Sequence, residues 1–469
     1  MPSSTSPTGA HRDETPVRDR GDACPGALRL HVADDGRLAR LRLPGGLLTS
    51  RQARVLATAA ERLGDGHLDI TSRGNVQLRG LGEACAAPLA ETLYDAGLLP
   101  SERHERARNM VASPLAGEDE HPFTDVRLWV RELDALVCGS DAAAGLSGRF
   151  LFAVDDGRGD VAGLGADVTL LAEPAPAGGT RRTAVLCAGP DRLRVRTADA
   201  PRAALLAAET FLTVAAGSGA WRLRELPAGH DLSARLIAAL ATAGVEAEPV
   251  TADFTTPHGP APALGVVTAP GRERAALCLR PPLGRLSAAQ WRLLARAGDG
   301  LRVTPWRGLV VPGLTPEAAA GLLARAAAAG LVTSADSPWS RIGACTGRPG
   351  CAKALADVRA DATSAAQAIA DAARDAVPDA EPGADAAASQ DPPGRAPRAA
   401  RPPELPVYFS GCARRCGHPQ GPYVDKVATA EGTYTTTTPT TRAIPPTGTA
   451  ATTTVTTGTT TGTTTTVKR

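Results

Sequence analysis

Thr71-Ser-Arg-Gly-Asn-Val-Gln-Leu-Arg-Gly-Leu81 returns far along the chain as Thr304-Pro-Trp-Arg-Gly-Leu-Val-Val-Pro-Gly-Leu314. Both stretches open on threonine, bend at a glycine-bearing turn, run on through apolar residues and close on Gly-Leu. Their surroundings repeat too. Upstream of the first, Leu28 to Val32 and Leu38 to Leu43 alternate as strands about the Asp34-Asp-Gly36 turn, and Pro44-Gly45-Gly46 closes the pair. Thr49 then caps a helix to Leu63, which Gly64 to Gly66 end, and His67 to Ile70 is a strand. After Leu81 a second helix spans about Glu83 to Ala96, and Pro88 suits its first turn. Upstream of the second stretch the same order appears: Leu264 to Val267 and Ala275 to Arg280 as strands, Pro281-Pro282, a helix opening at Leu286 to Gln290, a break at Gly298 to Gly300 and a strand at Leu301 to Val303. A repeat of this kind decides the architecture before any single motif does. It predicts an α+β protein built on duplicated half-domains.

Two cysteine pairs follow the second copy: Cys345-Thr-Gly-Arg-Pro-Gly-Cys351 and Cys412-Ala-Arg-Arg-Cys416. Four thiols in glycine-bearing loops can wrap a cubane iron-sulfur cluster, whose thiolate ligands arrive from loops. Zinc is the rival occupant. The three-residue spacing suits it, but five residues is wide for a zinc knuckle and no histidine pair completes a zinc pattern. From Cys351 an alanine-rich helix is expected to about Ala376.

Between the copies, Val126 to Leu136 reads as a helix, and Gly148 to Val154, Thr183 to Cys187 and Leu193 to Thr197 read as strands. The expected organisation is a disordered lead at 1–22, half-domain one at 23–100, a mixed domain at 101–250, half-domain two at 251–334, and a cysteine domain at 335–434 with a flexible insertion at 377–403. A threonine-rich tail at 435–469 has a composition that supplies no core. Its position predicts a final sheet short of a strand.

Composition narrows the function class. Of 51 basic residues only three are lysine (Lys353, Lys426, Lys468), yet the net charge is only +2. No general affinity for nucleic acid or anionic membrane follows. Nine cysteines, five of them scattered singly, do not form a disulfide framework, and a reducing cytoplasm is expected. The lead lacks the apolar core of a signal peptide, and no apolar run is long enough to span a bilayer.

Taken together, Cys24-Pro-Gly-Ala-Leu28, Arg42-Leu-Pro-Gly-Gly46, Thr71-Ser-Arg-Gly-Asn75, Arg108-Asn109, Ala153-Val-Asp-Asp-Gly157 and the cysteine pairs resemble the nitrite and sulfite reductase superfamily, and within it the precorrin-3B synthase family. The resemblance covers about residues 23 to 432. It implies duplicated ferredoxin-like half-domains related by a pseudo-twofold axis, with two interleaved nitrite/sulfite-reductase-type α/β domains. It also implies a 4Fe-4S cluster on Cys345, Cys351, Cys412 and Cys416 beside a tetrapyrrole site. The activity implied is an O2-dependent hydroxylation of precorrin-3A with lactone formation, drawing on an electron donor linked to NADH or ferredoxin and on a non-haem iron whose ligands the resemblance does not name. Arg42, Arg73, Arg108, Arg149, Asn75, Gln77 and Asn109 are the residues expected at the tetrapyrrole. Arginine forks suit a macrocycle fringed with carboxylates.

The rival within the superfamily is a sirohaem sulfite or nitrite reductase. Those enzymes surround a small oxyanion with two arginines, matching Arg42 and Arg108, and two lysines in a Lys-Phe-Lys pattern. Here the matching stretch reads Gly148-Arg149-Phe150-Leu151, so one cation has become leucine. His418, close after Cys416, is expected to tune the cluster by a hydrogen bond, and Asp155-Asp156-Gly157 to form a hairpin turn.

Overall fold

The computed structural model describes residues 24–120, 125–174, 182–250, 254–269, 273–375, 405–419, 421–439 and the backbone of 464–468. The lead at 1–22 and the insertion at 377–403 lie outside the described residues. The chain divides into two compact units, one of Ser101–Ser113 and Pro122–Gly259 and one of Gly26–Pro100, Pro114–His121 and Pro260–Arg469.

The first copy of the repeat comprises β1 (His31–Ala33), β2 (Gly36–Leu41), β3 (Leu47–Thr49), α1 (Ser50–Leu63), β4 (His67–Ile70), β5 (Val76–Leu81) and α2 (Ala86–Asp95). In the other unit lie β6 (Met110–Ala112), α3 (Val126–Gly139), β7 (Phe152–Asp155), β8 (Val168–Ala172), β9 (Thr183–Ala188), β10 (Asp191–Arg196), α4 (Ala200–Ala215), α5 (Leu232–Thr242) and β11 (Ala247–Pro249). The second copy comprises β12 (Gly265–Thr268), β13 (Ala275–Leu279), β14 (Arg285–Ser287), α6 (Ala288–Ala295), β15 (Gly300–Val303), β16 (Leu309–Leu314) and α7 (Pro316–Ala328). The cysteine segment follows as β17 (Ile342–Ala344), α8 (Val358–Asp375), β18 (Val407–Ser410), β19 (Val424–Ala428), β20 (Thr433–Thr437) and β21 (Thr464–Lys468).

The two copies agree down to individual hydrogen bonds. Thr49 and Gln52 form a capping box on α1, Ser287 and Gln290 form the same box on α6, and in each pair two otherwise orphaned backbone donors are satisfied. Gln52 Nε2 then donates to Ala96 O and Gln290 Nε2 to Ala329 O, so each box also ties down the end of its copy's second helix. The copies exchange strands: the sheets run β1-β2-β5-β4-β14 and β12-β13-β16-β15-β3, each completed by the other copy's short strand. Close backbone approach makes the exchange possible. At Gly46 (φ +70°) a Cβ would lie 1.9 Å from Val303 O, and at Gly300 it would lie 2.2 Å from Leu48 O, so a side chain at either position collides across the join between the donated β3 and the receiving β15. One hydrophobic core fills both copies, with Leu56, Ala60 and Leu78 from the first and Trp291, Leu294 and Leu322 from the second.

The two remaining sheets share a topology. β6, β7 and β8 are parallel with β9 antiparallel to them; β17, β18 and β19 are parallel with β20 antiparallel. A crossover helix, α3 or α8, joins the first two strands of each, as parallel neighbours require. The expected hairpin turn at Asp155-Asp156-Gly157 is therefore corrected, because the strands it would join, β7 and β8, are parallel. The expected missing strand is corrected as well. Threonine, a good strand former, supplies most of β20, and β21 pairs antiparallel with it. The helix expected from Cys351 begins at Val358, with Asp357 Oδ1 accepting from Ala360 N at its start.

Candidate functional site

Because β17 and β18 are parallel and adjacent, their C-terminal ends open on the same edge of the sheet, where α/β proteins hold their ligands. Cys345 follows β17 directly and Cys412 lies two residues beyond β18, so the topology alone brings the first cysteine of each pair together. Cys345 N donates to Phe409 O at 3.0 Å, and Gly411 N donates to the Cys345 sulfur at 3.2 Å. Leu355 N donates to Gly411 O at 2.7 Å, which ties the two cysteine loops together, and Ala354 N donates to Cys351 O at 2.9 Å within the first. These bonds keep residues 351–357 in turns despite their helical composition. Burial pushes the Cys416 thiol up, and the charges of Cys345, Cys412 and Cys351 push it further, so all four sulfurs share one neighbourhood.

The chemistry of the donor set fits an iron-sulfur cluster, whose ligands are cysteine thiolates carried on loops. Among the described residues, the side-chain groups with three ligand atoms within 4.8 Å of one another consist of Asp155, Asp156 and Asp160.

Two arginines and a tyrosine that the sequence reading did not single out brace the loops. Arg79 on β5 is bonded bidentately to Asp35 (2.8 Å twice) and also donates to Gly350 O, next to Cys351. Arg307 donates to Ala344 O (2.9 Å), Gly417 O (3.0 Å) and the Tyr408 hydroxyl (3.1 Å). Tyr408 in turn donates to Cys416 O at 2.7 Å. Burial pushes its phenol up to about 12, so it stays a proton donor at any physiological pH. His418 Nδ1 faces Pro419 O at 2.9 Å and its ring stacks on Tyr423.

The residues expected at the tetrapyrrole fall into two groups. Arg42, buried just beyond β2, and Arg73, half-buried in the Thr71–Asn75 turn, flank a loop that Asn75 organises: its Oδ1 accepts from Leu43 N at 2.9 Å and its own N–H donates to Thr71 Oγ1. Gln77, with its amide oxygen turned toward Arg40, accepts from Nε at 3.0 Å and Nη2 at 2.6 Å. In the other unit the arginine forks are taken up locally. Arg108 is buried and bonded bidentately to Asp134 at 2.7 Å twice. Arg149 pairs with Glu225 at 3.2 Å and lies over the Trp221 ring. Asn109 braces the 148–150 turn through Phe150 O, and Leu151 is buried with its N–H bonded to Asp167. Asn75 and Asn109 are thus loop braces, and the forks of Arg108 and Arg149 hold carboxylates of their own unit.

The place that Cys345 and the Cys412 loop take after β17 and β18 is taken after β6 and β7 by Ser113 and an acidic loop. Ser113 N donates to Val154 O, and Asp156 N donates to Ser113 Oγ at 3.1 Å, which matches the Gly411 bond to the Cys345 sulfur. The Asp155 carboxylate is saturated by the N–H groups of Gly157, Gly159, Val161 and Ala162, and Arg158 closes on Asp156 at 2.6–3.0 Å. An arginine therefore supplies the positive charge inside this acidic group.

Burial pushes the Asp160 carboxyl up to about 7, opposed by the Ser113 hydroxyl and reinforced by Asp155. A carboxyl that holds its proton more tightly when folded contributes stability that is complete below its ordinary pKa near 3.8 and is lost as pH rises through about 7. Asp160→Asn is expected to match the parent near pH 4 and to exceed it near pH 8 by at most about 4 kcal/mol. Urea unfolding from about pH 4 to pH 8 checks this; parallel pH profiles for the two proteins would refute it.

The family model of the nitrite/sulfite reductase ferredoxin-like half domain matches residues 31–96 and again 269–329, the two copies of the repeat. Over 351 residues, 73% of this chain and 72% of the relative, the sequence is 29% identical to a precorrin-3B synthase of Sinorhizobium sp. A ferredoxin–nitrite reductase of Leptolyngbya laminosa is 36% identical over 123 residues, 25% of this chain and 24% of that enzyme. Among solved structures, the NirA protein of Mycobacterium tuberculosis shares the fold, with a TM-score of 0.58 at 20% identity over 86% of this chain and 74% of that one. Among the described residues, no helix is long and apolar enough to cross a membrane. The protein is an oxidoreductase that carries, twice over, the ferredoxin-like half domain of nitrite and sulfite reductases and is similar through most of its chain to a precorrin-3B synthase.

Proposed function

We propose that the protein is a precorrin-3B synthase: it hydroxylates precorrin-3A with O2 and an external electron donor and closes a lactone on the macrocycle. One oxygen atom enters the substrate as the hydroxyl, and the other leaves as water with two electrons and two protons from the donor. Cys345, Cys351, Cys412 and Cys416 would hold a 4Fe-4S cluster, which supplies electron transfer when bound. Arg42 and Arg73 would take carboxylates at the rim of the substrate.

The observation that carries this reading over a sirohaem reductase is the fate of the four cationic positions used on an oxyanion. One is Leu151, buried and apolar, while Arg108 and Arg149 are held by Asp134 and Glu225. A small anion needs uncompensated positive charge around it, and carboxylates at two of these positions cancel that charge. A large organic substrate has no such need at its reacting carbon. The likeness to a precorrin-3B synthase over most of the chain agrees, whereas the likeness to the nitrite reductase covers a quarter of it.

Anaerobic purification followed by ultraviolet-visible spectroscopy tests the proposal. The broad absorbance of an iron-sulfur cluster without sharp sirohaem bands is expected. Addition of precorrin-3A, reductant and O2 should give a product heavier by one oxygen atom. Sirohaem in the isolated protein, with turnover of sulfite or nitrite, would overturn the reading.

A further inference from the structure

The two copies of the half-domain differ where their turns meet the rest of the molecule. Thr71 Oγ1 accepts from Asn75 N and Thr304 Oγ1 accepts from Gly308 N, both at 3.1 Å, so Gly74 and Arg307 occupy the same turn position. Both adopt the left-handed backbone, Gly74 at φ +64° and Arg307 at φ +57°. Glycine adopts this conformation at no steric cost, whereas a long side chain there is costly and persists only where its surroundings hold it.

What holds Arg307 is the cysteine centre. Its side chain runs over Gly284, where a Cβ would come within 2.9 Å of Arg307 Cδ, and ends against Gly417, where a Cβ would lie 2.1 Å from Arg307 Nη2. Two glycines thus make the channel for one arginine. At its end the guanidinium binds the carbonyl just before Cys345 and the carbonyl just after Cys416, and it passes over the Tyr408 ring to the hydroxyl that holds Cys416 O. These loops are far apart in sequence, and one planar fork sets their separation.

We infer that Arg307 is the positioning residue of the cysteine centre: its fork fixes the Cys345 loop against the Cys416 loop, and its charge, held on the carbonyls next to Cys345 and Cys416, raises the reduction potential of whatever the thiolates hold. The inference rests on the reading of the four cysteines as cluster ligands. Groups outside the ligands themselves typically change metal affinity by roughly ten- to a hundred-fold, and a nearby cation favours the more negative, reduced state.

The test uses the full-length protein purified anaerobically, with three variants. Arg307→Met should bleach roughly ten-fold faster in a ferrous-iron chelator and show a lower reduction potential and altered electron paramagnetic resonance of the reduced cluster. Arg307→Lys should bleach faster too, since an ammonium cannot span three acceptors, but should keep a potential nearer the parent's. Tyr408→Phe, which removes only the hydroxyl, should bleach faster with the potential unchanged and remains informative if Arg307→Met does not fold. A parental bleaching rate in Arg307→Lys and Tyr408→Phe, or a parental potential in Arg307→Met whatever its melting temperature, overturns the inference. Absence of iron and sulfide from the parent itself would instead overturn the reading of the cysteines.

Discussion

Cys412→Ser is expected to leave the protein without iron, without acid-labile sulfide and without visible absorbance. The residue lies two positions beyond β18, in the loop whose Gly411 N–H already binds the Cys345 sulfur and whose Gly411 carbonyl binds Leu355 N. A serine hydroxyl is harder and far less acidic than a thiol, and it is a much poorer ligand than a thiolate for the iron of a cluster. Cys345→Ser should behave alike. Cys85→Ser is the control: its thiol sits in the first half-domain, 3.6 Å from Leu63 O, where a hydroxyl donates as well, so iron should stay at the parental level. Stoichiometric iron in Cys412→Ser would mean that the four thiols are not one ligand set.

Trp291→Ala is expected to cost about 3 to 5 kcal/mol of unfolding free energy. Trp291 is fully buried on α6 at the seam between the copies, and its indole N–H donates to Ala53 O on α1 at 2.8 Å. Truncation would open a cavity among Leu56, Leu294 and their neighbours in a core common to both copies. Trp291→Phe keeps most of the apolar contact and loses the hydrogen bond, so it should cost about 1 to 3 kcal/mol, the upper end reached if its smaller ring packs poorly. Denaturant titrations followed by circular dichroism would measure both. An alanine variant no less stable than the phenylalanine variant would show that the seam is not held by packing at this residue.

Local signals carried the reading where they were self-sufficient. The Thr49 cap, the Gly64 stop, the Pro88 position and the glycine-bearing turns each act within a few residues, and the helix at Ser50–Leu63 and the strand at His67–Ile70 match the expected bounds. They failed where distant partners outweighed local preference. Residues 351–357 have the composition of a helix, yet Arg348 Nε binds Ala354 O and Gly411 O takes the Leu355 N–H, so the helix waits for Asp357. The strand expected from Gly148 starts at Phe152, because Asn109 and Asp167 hold the preceding turn. Arg108 stood in a recognisable motif, but its carboxylate is supplied by Asp134, a residue that no spacing rule connects to it.

The amino-acid sequence by itself determined the duplication, the order of elements in each half and the four thiols in two loops, since repeats, caps, turns and ligand spacing are written within short stretches of chain. Only the tertiary structure decided that each half lends a strand to the other's sheet, that parallel β17 and β18 deliver both cysteine loops to one edge, and that Arg307, standing where its twin is a glycine, braces them. The physical reason is range. A cap or a turn is satisfied by its own neighbours, whereas a donated strand or a guanidinium is satisfied by backbone groups whose position depends on the folding of the whole unit.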